Sequence, residues 1–115
     1  MDDQEKALLQ NIKEFYEIAV EADKKSSFNS AVTLYFKALA VCADLFILRV
    51  EQIIPANHTE RFRILEEKYK DLYIIIDKDF MFYQNSYRIK LDKEASEVLR
   101  KDVERLFKLL KITKR

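Results

Sequence analysis

Between Phe28 and Ile54 apolar residues occupy almost every side of one long helix: Phe28, Val32, Phe36, Leu39, Leu45 and Ile47 point in all directions around its axis. A helix that is apolar all round has to be wrapped by other protein or by lipid. Its charged residues Lys37, Asp44 and Glu51 recur at every seventh position, and Ser30 and Thr33 prolong the line, so only a thin stripe is expected to meet water. The segment reads as the central helix of a bundle or of a dimer interface.

The 115 residues, 49% of them hydrophobic, suit one domain with one core, 1–115. Glycine is absent, proline occurs once and 36% of residues are charged. That balance suits helices with short connections and denies hairpins their turn residues, so the chain reads as all-α. A net charge of +1 names no polyanionic partner, although residues 88–115 hold ten basic against five acidic side chains and residues 1–25 four against seven.

A single cysteine and a single histidine cannot form a usual structural zinc site, and no intramolecular disulfide is possible. Cys42 reads as a small core residue in a chain suited to the cytoplasm. The acidic start is unlike a signal peptide. Residues 38–54 approach membrane-spanning length, yet Asp44, Arg49 and Glu51 inside them argue for burial in protein, so no membrane is expected. Without glycine there is no phosphate-binding loop, and Glu66, Glu67, Asp77 and Asp79 have the spacing of ordinary surface carboxylates. No cofactor, metal or catalytic residue is assigned.

Helical periodicity in Leu8, Ile12, Phe15, Tyr16 and Ala19 predicts a first helix over 4–24. Ser26 and Ser27 interrupt it before the second, 28–54, which Pro55 ends. Asn57, with Glu60 in capping-box position, opens a third over 57–80, whose inward stripe includes Phe62, Leu65, Leu72, Ile76 and Phe80. Asp92 caps a fourth over 92–111. The expected architecture is an up-and-down bundle of four main antiparallel helices.

Tyr83, Asn85, Tyr87, Arg88 and Lys90 concentrate aromatic, amide and cationic groups beside the positive last helix, a set suited to nucleotide contacts. Arg88 can meet a phosphate with two donors, and Tyr83 or Tyr87 can stack on a base. Alternatively the aromatics close the core and Arg88 pairs with Asp79 or Asp92. His58, the one imidazole, is an outlying candidate for binding or proton transfer.

The run Phe28-Asn29-Ser30-Ala31-Val32 leading to Tyr35-Phe36-Lys37-Ala38-Leu39, then Pro55-Ala56-Asn57-His58, then Ser86-Tyr87-Arg88 before the last helix, together resemble the HEPN domains, small helical bundles that bind nucleotides or cleave RNA. Catalytic members follow the arginine, a short turn later, with a histidine, whereas this chain has Asp92, Lys93 and Glu94 after Arg88. The resemblance therefore implies a non-catalytic relative that binds nucleotide or RNA, or pairs with a nucleotidyltransferase-type partner, and that forms a homodimer through the 28–54 helix. Any enzymatic activity it implies would be that of a HEPN-type ribonuclease. The small residues in Tyr16-x-x-Ala19-x-x-Ala22 and Phe28-x-x-Ala31-x-x-x-Tyr35-x-x-Ala38 also resemble a tetratricopeptide or microtubule-interacting-and-trafficking hairpin, which implies a protein-interaction module.

Overall fold

The computed structural model describes residues 2–113, which form five helices: α1 Asp3–Lys24, α2 Phe28–Glu51, α3 His58–Lys68, α4 Lys70–Asn85 and α5 Lys93–Leu110. The all-α expectation holds, and no strand occurs among the described residues. Asp2, Asn57 and Asp92 each accept a first-turn amide at the start of α1, α3 and α5, satisfying donors that the helix cannot satisfy itself.

α2 lies in the middle. At its C-terminal end the Arg49 guanidinium donates to Glu5 on α1 and, at 2.7 Å, to the Leu110 carbonyl at the end of α5. At its other end Asn29 bonds to Leu91 just before α5. These ties make α1 antiparallel and α5 parallel to α2. Thr33 bonds Ser86 and Phe46 meets the Tyr69 ring, so α4 runs antiparallel to α2. Ala19, Ala31, Ala38 and Ala43 are fully buried, and their small side chains leave room for Ile12, Leu39, Leu45, Leu65, Ile76 and Leu99 to fill the core. α2 has the length and hydropathy of a membrane span, but 72% of that window is buried inside the protein.

Three expectations are corrected. The first is the single helix over 57–80, which folds into a hairpin at Tyr69 (φ −135°, ψ 64°) and then continues as α4 to Asn85. Lys68 and the Tyr69 hydroxyl both bond the Glu51 carboxylate at the end of α2, fixing the turn, and the reversal brings His58 within 4.4 Å of Phe80, ring centre to ring centre. The second is the solvent stripe. Asp44 is buried and Glu51 is partly covered, because α3 runs along them: Arg61 bonds Asp44 with two donors at 2.7 and 3.0 Å. The edge of α2 that still meets water runs through Ser30, Leu34, Lys37 and Val41. α2 also stops at Glu51, earlier than 54, where Gln52 turns left-handed (φ 61°) to redirect the chain ahead of the buried Pro55.

Polar groups inside are mostly paired. Asp23 accepts from Tyr35 and Ser96, linking α1, α2 and α5, and Tyr16 donates to Glu104 at 2.6 Å. Burial together with these carboxylate partners pushes both phenols well above their ordinary range. Burial alone does the same to the Cys42 thiol. One exception is Asp79 on α4, fully buried, with neither carboxyl oxygen hydrogen-bonded to an ordinary donor. It faces the Asp102 carboxyl on α5, and the Lys78 ammonium lies 3.3 Å from Asp79 and 2.9 Å from Asp102. Desolvation, then the hydrogen bond and repulsion from Asp102, hold Asp79 above the usual carboxylate range, so it keeps a proton that Asp102 can accept.

Candidate functional site

The α4–α5 connection is held from across the molecule by one side chain. Asn29 Nδ2 donates to the Ser86 and Ile89 carbonyls at 2.9 and 2.7 Å, and Asn29 Oδ1 accepts from Leu91 N at 2.9 Å. Ser86 adds a bond to Thr33. With its backbone tied down, the loop pushes its side chains outward: Tyr87 is 71% exposed, and Arg88, Ile89 and Lys90 are exposed with it. Arg88 pairs with neither Asp79, which is buried beside Lys78, nor Asp92, which caps α5. Among the described residues Arg88 and Lys90 make no ion pair. Asn85 closes the end of α4 through its carbonyl, which accepts from Arg88 N and Ile89 N, and its residue is exposed.

One turn earlier, Tyr83 lies flat on Phe36, with ring centres 4.8 Å apart and planes inclined by 23°, and its hydroxyl is 3.0 Å from that of Tyr87. Tyr83 and His58 line the same depression of about 370 Å³ between α2, α3 and α4, together with Phe36, Phe80, Lys37 and Arg61. The structure thus brings Tyr83 and His58 into one depression and joins Tyr87 to it through the Tyr83 hydroxyl, whereas Asn85, Arg88 and Lys90 are exposed on the following loop and line neither this depression nor the one beside Tyr87.

His58 is placed as a wall of this depression more than as a base. Arg61 Nη1 lies 3.1 Å from His58 Nδ1. A guanidinium only donates, so Nδ1 accepts and the imidazole proton sits on Nε2. Nε2 is buried without a hydrogen-bond partner, amid the rings of Phe36, Phe62 and Phe80. Burial, reinforced by the Arg61 charge and opposed by Asp44, lowers the His58 pKa and keeps the ring neutral.

Four contributors carry no site signal in the sequence. Lys37 and Phe36 look like ordinary solvent-facing and core positions of α2, as they are, and only the fold sets them beside Tyr83. Arg61 and Asn29 gain their roles from partners far along the chain, Asp44 for the first and the 86–91 backbone for the second. Among the described residues no group of three or more histidine, cysteine or acidic side chains converges as a metal site. Compared with protein-family models, with curated proteins and with solved structures, the chain matches none.

Proposed function

We propose that the protein is a non-enzymatic, HEPN-like domain of the cytoplasm that binds nucleotide or RNA, with α1, α2, α4 and α5 as the four main helices and α3 as an added return. The observation that carries this reading is the exposed Tyr87 ring, joined through its hydroxyl to the half-buried Tyr83, on a clamped loop whose cations make no ion pair among the described residues. A base stacks on Tyr87 or Tyr83, Arg88 and Lys90 meet the backbone phosphates, and Lys37 extends the positive rim. The His58 nitrogens, one engaged by Arg61 and the other buried, support binding without cleavage.

The test is a fluorescence-anisotropy titration with short single-stranded RNA at two salt concentrations, beside a nucleotide panel. Affinity should fall as salt rises, because phosphate contacts release counterions. Arg88→Ala and Tyr87→Ala should each weaken it; if neither does, the site assignment is wrong.

The peptide-binding alternative is less well supported, because α5 covers the α1–α2 hairpin: Phe107 packs on Tyr16 at 5.0 Å, filling space that a peptide would need. Homodimerisation through α2 belongs to the same proposal. Since the other helices already wrap α2, a dimer would use its remaining edge, Ser30, Leu34, Lys37 and Val41, which borders Tyr83 and Tyr87, so dimerisation and RNA binding would compete for that edge. Sedimentation at tens of micromolar decides it, and a pull-down tests for a nucleotidyltransferase-type partner.

A further inference from the structure

α4 and α5 close on each other at Asp79 and Asp102 and then part. One and two turns beyond that contact, Ile75 and Leu72 on α4 and Leu106 and Leu109 on α5 line a groove of about 640 Å³, with Phe46 of α2 also lining it and Tyr69 at one end. The volume falls in the range of small-molecule sites. Leu109 is 55% exposed, a large aliphatic side chain left in water beside an apolar lining.

The charges around it are uneven. Lys68, Lys70, Asp71 and Arg105 are the ionised residues that line the groove. Lys68 is engaged by Glu51 at 3.1 Å, whereas Lys70 and Arg105 are exposed and make no ion pair among the described residues. α4 also begins here, and Tyr69 supplies its first-turn amides no side-chain cap. The carboxylate of Asp71 offsets part of this charge.

Size decides what fits. The lining runs from Lys70 to Ile75 on α4 and from Arg105 to Leu109 on α5, about 6–8 Å at the helical rise, too short to seat an amphipathic helix along its length. The lining is mainly aliphatic and offers no broad aromatic platform for a base.

We infer that this groove, separate from the nucleotide surface proposed above, binds a small amphipathic anion: a medium-chain alkyl carboxylate whose head group meets Arg105 and Lys70 and whose tail lies on Leu72, Ile75, Leu106 and Phe46. Octanoate, added to the full chain below its micelle concentration and followed by amide and methyl NMR shifts, is the direct probe. Saturable shifts centred on Leu72, Ile75, Leu106 and Leu109 are expected. Arg105→Glu should weaken binding by about tenfold or more, since it replaces an attractive charge with a repulsive one. Leu109→Glu, at an exposed position that leaves the core intact, should do likewise. Octylammonium, with the same tail and the opposite charge, should bind at least about tenfold more weakly than octanoate.

Equal binding of octylammonium would reduce the groove to an unselective apolar patch and overturn the inference. So would unchanged affinity in both variants, shifts confined to another surface, or absence of saturable octanoate binding, including the cases where only an acidic peptide or anionic vesicles bind. RNA binding unaffected by octanoate would leave the two sites independent, so either can fail alone.

Discussion

The α1–α2–α5 side of the molecule and the α3–α4 side are attached to the same central helix by different forces. On the first side, small residues let helices approach closely, and Ile12, Val32, Leu39, Leu99 and Val103 are fully buried against one another. The partly buried Asp23 carboxylate that links these three helices is supplied with hydroxyl donors. The second side also buries Leu65 and Ile76, but to that burial it adds ion pairs from α3, Arg61 to Asp44 and Lys68 to Glu51, and a carboxyl pair where α4 meets α5. Apolar burial is indifferent to pH. Buried charges depend on the position and protonation of their partner, so the second side should yield first to pH.

The contrast can be broken most forcefully from the apolar side. Leu99→Ala should cost about 3 kcal/mol of unfolding free energy by urea titration, with every helix losing hydrogen-exchange protection together, because the cavity lies in the shared core. Asp44→Ala should cost about 2–3 kcal/mol, since it leaves the Arg61 charge poorly solvated, with side chains only 10% and 13% exposed in the native pair. Here exchange should rise in α3 and α4 while α1 and α5 stay protected. Uniform loss of protection would dissolve the distinction between the two sides.

Asn29→Ala should cost about 1–2 kcal/mol, confined to the loop, because it removes three hydrogen bonds to one backbone segment. RNA affinity would then drop with no change at Arg88 itself, which an anisotropy titration reads.

The smallest effect at neutral pH, and the sharpest diagnostically, is Asp79→Asn. The folded chain holds Asp79 above its unfolded value of about 4, so the folded state binds the extra proton through the interval between the two. Stability should therefore fall as pH rises across that interval, with the loss complete above it. Asparagine mimics the protonated acid and can donate to Asp102. The variant should lie within about 1 kcal/mol of the parent at neutral pH and lose this part of the slope. Parallel stability curves for the two proteins between pH 5 and 9 would show that Asp79 is not the titrating group.

Periodicity and caps made much of the fold legible. α1, the start of α2 and α5 are amphipathic or uniformly apolar with polar residues at their ends, and Asn57 and Asp92 cap as their side-chain chemistry suggests. The break at Tyr69 was invisible because Glu66, Glu67, Lys68, Tyr69 and Lys70 all suit a continuous helix. What turns the chain there is the long-range hold of Glu51 and Phe46 on neighbouring residues. Of the seven-residue charge repeat on α2, Lys37 faces water as its spacing suggests, whereas Asp44 is buried against Arg61, and a charge facing water and a charge facing Arg61 look alike in a single sequence. In the site, Tyr83 and Tyr87 were accessible from composition, whereas Lys37 and Asn29 belong to it only through contacts made after the chain folds.

The central position of α2 bears on how the chain emerges from the ribosome. Its apolar surface is synthesised second, and its partner α5 is completed only after the α3–α4 hairpin. At ordinary elongation rates of about 5–20 residues per second, α2 spends seconds with one side covered by α1 and the rest open. During that interval α2 is a sticky amphiphile inside the cell, with the dimensions of a membrane span. Chains arrested before residue 93 should therefore associate with chaperones or with lipid, whereas the finished chain buries that surface.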